Sequence, residues 1–307
     1  MGESFNPEQL FERCRLDDLP GFQQFLILDD RCFEKSRHNG VTATHVAAQF
    51  GALRVLKWIL TLDCTAVELR DEKGFSPLLR AADFGQLEAI KLVAQYSNEA
   101  VLDRDDYGFT ALHRAARGGH LLVCEWLVQH YPQLIHWGNN NQEHALFHAC
   151  ATGEKLVASL LLEYGAQINV KNVFQSNCLF SAIEAAGEGF GEALEVVELL
   201  LKQGVEVNCR NELKQTPLCL SIDLRCFPVV VLLLQHKCDP DLSRESPERF
   251  RFPSLSRFIK QESASPLTLA LVLYDIPLID AFELGLGKAA VQLRIYWQRG
   301  YHVAKAW

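Results

Sequence analysis

The run Phe109-Thr110-Ala111-Leu112-His113-Arg114-Ala115-Ala116-Arg117-Gly118-Gly119 is one copy of a phrase that this chain repeats. Earlier copies stand at Thr42-Ala43-Thr44-His45-Val46-Ala47-Ala48 and Ser76-Pro77-Leu78-Leu79-Arg80-Ala81-Ala82, and the heads Thr42, Ser76, Thr110 and His144 are each 34 residues apart. Later copies begin at Asn177, Thr216 and Ser265, with spacings of 33, 39 and 49 that mark insertions. Self-similarity at such a period means one supersecondary unit stacked on itself, because a unit this small cannot bury its apolar face alone.

The residues at fixed places in the phrase say what the unit is. A hydroxyl at the head accepts a backbone N–H at a helix start, and the prolines that follow it in three copies (Pro77, Pro217 and Pro266) suit a first turn that needs no donor. Gly51, Gly85, Gly119 and Gly153 stop that helix. A second apolar stretch then follows, over 53–60, 87–93, 121–128 and 156–162. Polar turn residues before a glycine, as in Arg70-Asp71-Glu72-Lys73-Gly74 and Arg104-Asp105-Asp106-Tyr107-Gly108, predict hairpin-like loops between units.

Helix, tight turn, helix and hairpin at this period resemble the ankyrin-repeat family. Thr110 to Gly119 and Leu160-Leu161-Leu162-Glu163-Tyr164-Gly165-Ala166-Gln167-Ile168-Asn169 carry the likeness, with a weaker echo from Leu199 to Asn208. The resemblance implies an all-α solenoid of about six to seven repeats closed by capping helices, and says little about function. Two departures are visible. Repeats one to three end in Asp63 to Val67, Tyr96 to Ala100 and Tyr131 to Ile135, not in a Gly-Ala turn, so those loops should differ in shape. Phe180 and Cys219 replace the helix-start histidine in repeats five and six, which implies looser hydrogen bonding there.

Along the chain, residues 1–38 are expected to form N-terminal capping helices and residues 39–241 the repeats, as one elongated domain. Residues 242–264 form an inserted segment with Arg244, Arg249, Arg251, Arg257 and Lys260 among Phe250, Phe252 and Phe258. Residues 265–307 are expected to hold a degenerate last repeat and a C-terminal cap. The stretch Glu184 to Glu192, rich in glycine and acid, is expected to protrude as a loop.

Composition narrows the classes of partner. A net charge of −8 argues against a sequence-independent grip on nucleic acid or anionic lipid. No apolar run reaches membrane-spanning length. The start Met1-Gly2-Glu3-Ser4-Phe5-Asn6 lacks a secretory pattern, and Asn6 stands where a myristoylation signal wants Ser or Thr. None of the ten cysteines forms a Cys-x-x-Cys pair, and several occupy repeat-core positions. They are expected to be reduced thiols of a cytosolic or nuclear protein, read here as a monomer.

Catalytic patterns are weak. His144 and His148 are one helical turn apart, as zinc pairs are, but His144 takes the capping position and no His-Glu-x-x-His follows. The Gly187-x-Gly189-x-Gly191 run has neither the spacing nor the preceding strand of a phosphate loop. His45 and His113 sit where the resemblance implies a structural imidazole bonded to the hairpin and the Thr hydroxyl. No enzyme, metal or cofactor is expected, and a site hidden in 242–307 has little room.

Binding is the remaining reading. The resemblance implies that Phe50, Arg80, Phe84, Arg114 and Arg117 face a concave groove, with Tyr107 at a hairpin tip. Arginine and exposed aromatic rings dominate interface energetics, so these six are the candidate partner-binding residues, for an acidic segment with apolar anchors. The alternative is that Phe50 and Phe84 wedge between repeats while the arginines pair with Asp83, Asp105 or Asp106. The sequence leaves both open. A narrower role, substrate receptor for a ubiquitin ligase through a terminal SOCS box, is met poorly: 267–271 lacks the cysteine and 294–307 the prolines that such a box carries. Asn169 and Asn208 occupy the position that asparaginyl hydroxylases modify in similar proteins; a plain turn role is the alternative.

Overall fold

A computed structural model of the chain describes residues 7–28, 39–224, 226–236 and 238. The inserted segment 242–264 and the C-terminal segment 265–307 lie outside the described residues. Contacts divide the chain into two compact units, with the boundary between Val173 and Phe174.

The first unit opens with helices α1 (Pro7–Arg15) and α2 (Leu19–Leu28). Four helix pairs follow: α3 (Ala43–Phe50) with α4 (Leu53–Leu62), α5 (Pro77–Asp83) with α6 (Leu87–Tyr96), α7 (Ala111–Arg117) with α8 (Leu121–His130), and α9 (Ala145–Thr152) with α10 (Lys155–Glu163). The first helices of the pairs pack in series, α3 on α5, α5 on α7 and α7 on α9. Their facing residues are small, Ala47, Ala48, Ala81, Ala82, Ala115 and Ala116, all fully buried; alanine lets helix axes approach closely. Leucines such as Leu78 and Leu112 fill the space against the second helices, each worth about 1.5–3 kcal/mol on burial. Helix α1 packs on α3, and Asp17 accepts the Val55 N–H at 2.9 Å, so the N-terminal pair caps the start of α4.

The turn glycines of the first four repeats act where they were placed. Gly51, Gly85, Gly119 and Gly153 have φ of 67, 72, 70 and 73°, the left-handed region that closes a helix without a Cβ clash. The loops of repeats one to three do differ, winding into 3₁₀ turns at Cys64–Glu68, Glu99–Leu102 and Pro132–His136. Histidines tie successive repeats: His45 Nδ1 accepts the Thr42 N–H at 3.3 Å while its Nε2 lies 2.9 Å from the Phe75 carbonyl. His113 does the same with Thr110 at 3.2 Å and the Glu143 carbonyl at 2.9 Å. A carbonyl can only accept, so Nε2 carries the proton in both rings.

The second unit holds α11 (Cys178–Glu188), α12 (Ala193–Lys202), α13 (Pro217–Asp223) and α14 (Phe227–Gln235), with α11 on α13 and α12 on α14. Here one expectation needs correction: Glu184 to Glu188 is not loop but the last turn of α11, which closes on Gly189 at φ 75°. Ala185 is buried in that turn. Gly187 is tolerated because a Cβ there would approach Leu224 Cβ to 3.1 Å, leaving no space for a side chain. In repeat five Asn177 heads α11 without a side-chain capping bond and its Oδ1 has no partner, but its Nδ2 donates to the Glu206 carbonyl at 3.1 Å, much as His113 reaches Glu143. Repeat six keeps its cap, Thr216 Oγ1 accepting the Cys219 N–H at 3.3 Å.

Candidate functional site

A cleft of about 430 Å³ opens in the first unit, between the hairpins before α5 and α7 and the helices themselves. Four cations line it (Lys73, Arg80, Arg114 and Arg117), with three aromatic rings (Phe75, Tyr107 and Phe109) and one carboxylate, Asp83. In a chain of net charge −8 this is a local reversal of sign.

The hairpins build the cleft wall. Asp71 closes its turn by accepting the N–H groups of Lys73 and Phe75 at 2.9 and 3.0 Å, and Asp105 repeats this with Tyr107 and Phe109. Each aspartate then uses its other oxygen to hold the arginine nine residues on. Arg80 Nε donates to Asp71 at 3.1 Å, and Arg114 donates from both Nε and Nη2 to Asp105. Burial raises the Asp71 carboxyl, but Arg80 and the two backbone donors outweigh it and hold the group below its usual range.

The guanidinium planes are stacked as well as paired. Arg80 lies over the Phe75 ring at 4.7 Å, and Arg114 over Phe75 at 4.3 Å and over Phe109 at 4.4 Å. His148 continues the ladder, its ring centroid 4.7 Å from that of Phe109. In this fourth repeat Asn139 stands in the place of Asp105, closing its hairpin by accepting the Asn141 and Glu143 N–H groups at 2.9 Å each. Burial, opposed by the nearby Glu143, lowers the His148 pKa to about 4, so the ring is neutral at pH 7.

The six candidate residues therefore separate by environment. Arg114 is buried, 6 % exposed, with its charge committed to Asp105; the Arg80 side chain is 21 % exposed and committed to Asp71. Arg117 and Tyr107 are exposed on the cleft. Among the described residues neither Arg117 nor Lys73 forms an ion pair. Phe50 and Phe84 do not line the cleft; their exposed rings pack on one another at 6.4 Å, with Arg15 over Phe50 at 4.6 Å. Sequence reasoning missed Lys73 and the rings Phe75 and Phe109. The signal was present, since Asp71, Phe75 and Arg80 recur with the same spacing as Asp105, Phe109 and Arg114.

His144 and His148 do not act together: His144 heads α9 with its Nδ1 unpartnered, while His148 joins the stacked ladder. No group of His, Cys, Asp or Glu suited to a metal ion occurs among the described residues. No helix among them is long and apolar enough to cross a membrane.

A family model described as ankyrin repeats (3 copies) matches this chain over residues 14–106, 44–136, 101–172 and 132–211. No curated protein matches the chain.

Proposed function

Since the chain belongs to the ankyrin-repeat family, whose repeats generally mediate protein–protein interaction, we propose that it is a non-enzymatic adaptor whose cleft in repeats one to three takes an acidic protein segment with an apolar anchor. One observation carries this: Lys73 and Arg117 stand exposed and unpaired beside Phe75, Tyr107 and Phe109 in the same cleft. The mechanism is rigid presentation. Asp71 and Asp105 fix Arg80 and Arg114 and the stacked rings fix the hairpins, so an incoming carboxylate meets Lys73 and Arg117 on a wall that is already ordered. Exposed cations steer encounter, while the rings supply area that water leaves on contact.

Buried cysteines outside any disulfide support a reducing compartment, cytosol or nucleus. Cys124, Cys150 and Cys178 are fully enclosed, and burial pushes the Cys124 thiol up to about 12, far from reactivity.

The test uses residues that the fold does not need. A fluorescein-labelled peptide of alternating glutamate and phenylalanine should bind the full chain by anisotropy, and Lys73→Ala with Arg117→Ala should weaken it at least tenfold while circular dichroism is unchanged. Equal binding of the lysine counterpart of that peptide, or none of either, would refute the proposal. Replacing Arg80 and Arg114 would be a poorer test, because both hold the hairpins.

A further inference from the structure

The second unit carries an exposed segment of the chemistry that the cleft of the first unit is built to take. Gly187-Glu188-Gly189-Phe190-Gly191-Glu192 comprises the end of α11 and the turn to α12, and all six residues are exposed. The Phe190 ring is 52 % exposed, with Leu194 beside it at 38 %. Gly189 and Gly191 adjoin Phe190 in sequence, with Glu188 and Glu192 next on either side. Among the described residues neither glutamate forms an ion pair.

The segment is also held in shape. Phe190 N–H donates to the Ala185 carbonyl at 2.9 Å, closing α11, and the Phe190 carbonyl accepts the Ala193 N–H at 3.1 Å, opening α12. A ring presented by a turn pinned on both sides is a preformed knob, and little freedom is lost when it is covered.

We infer that this knob docks into the cleft of a second copy of the chain, Phe190 packing on the exposed Tyr107 ring and the half-buried Phe109 ring while Glu188 and Glu192 meet Lys73 and Arg117. This rests on the cleft reading above, and it departs from the monomer expected of the sequence. Charge complementarity selects the occupant: two acids around one exposed ring face two exposed cations beside Tyr107 and Phe109. The contact joins different surfaces on the two copies, so it is head-to-tail and each added copy leaves one knob and one cleft open. A patch this small gives weak association, with a dissociation constant on the order of 10–100 µM.

The experiment is sedimentation equilibrium on the full chain. The wild type should show a weight-average mass that rises through that concentration range, and Phe190→Ala should weaken association at least tenfold. A cleft-defective variant, Lys73→Glu with Arg117→Glu, and a knob-defective variant, Glu188→Gln with Phe190→Ala and Glu192→Gln, should each be monomeric. Mixed, they should form a one-to-one complex and nothing larger, because only one knob and one cleft remain intact. All five positions are exposed, so folding should survive, which circular dichroism checks. A wild-type mass that stays flat, a defective variant that still self-associates, or a mixture that stays monomeric would overturn the inference. The labelled peptide separates the two failures: if it binds the cleft while the chain remains monomeric, only self-association falls, and if it does not bind, both fall.

Discussion

Replacing Arg114 by leucine tests the view that the arginine ladder is part of the scaffold as well as of the cleft. The Arg114 side chain is 7 % exposed and that of Asp105 fully buried, so the variant strands a carboxylate away from water. Stranding one partner of a buried pair costs about 3–5 kcal/mol. Two features bracket the value here. Asp105 retains its bonds from the Tyr107 and Phe109 N–H groups, which favours the low end, and the loss of two cation–π contacts adds ~0.5–2 kcal/mol. The expected loss is about 3.5–5 kcal/mol. Asp105→Asn alone should also destabilise, although the asparagine can keep the hairpin closed as Asn139 does. Removing both charges together should cost less than the sum of the single changes, with a coupling of roughly 2–3 kcal/mol. Urea unfolding followed by tryptophan fluorescence measures the cycle, and hydrogen exchange at the Tyr107 and Phe109 amides localises it, since repeat arrays depart from two-state behaviour. An Arg114→Leu variant no less stable than Arg117→Leu, or strict additivity of the pair, would refute the reasoning.

Three further outcomes are expected. His144→Thr replaces a helix head whose Nδ1 is unpartnered with the cap the chain uses at Thr216, and should stabilise by about 1 kcal/mol; an unchanged melting temperature would count against it. Burial, with the adjacent His148, lowers the His113 pKa to about 3 against an ordinary 6.5. Protons therefore favour the unfolded chain, and stability should be full above pH 6.5 and fall below it by up to ~1.4 kcal/mol per pH unit; an imidazole of His113 titrating near 6.5 by NMR would contradict this. Gly108→Ala should cost clearly more than Gly165→Ala: both have positive φ, but a Cβ at Gly108 would lie 2.8 Å from the Asn140 backbone nitrogen, whereas Gly165 meets nothing within 4 Å. Matched melting curves for the two would show that hairpin contact is not tight.

What the sequence makes legible here is local. The caps at Ser76 and Thr216, the turn glycines and the His45 and His113 bridges depend on residues a few places apart or one period apart, so periodicity exposes them. The environment of Arg114 is not local in that sense. Whether its guanidinium points out to a partner or back to Asp105 depends on hairpin geometry, and the sequence admitted both. The turn of α11 was hidden for a similar reason: Gly187 reads as a breaker by composition, but its role is to let Leu224 approach. The Phe50 and Phe84 rings were read as either groove or wedge, and they turn out to be exposed and in contact with each other.

The shared rings have a consequence for how this chain can change length. Arg114 rests on Phe75, which belongs to the repeat before it, and also on Phe109 of its own. Excising residues 76–109 would join Phe75 directly to Thr110 and place Arg114 nine residues beyond Asp71, the same offset that Arg80 has now. Such a cut removes one rung and leaves every remaining rung with a mate. A cut one residue shorter would set His113 nine residues beyond Asp71, and one residue longer Ala115, and either would strand its charge. The stack is thus quantised: this part of the chain can be shortened or lengthened only in whole periods, and its ion pairs enforce the count.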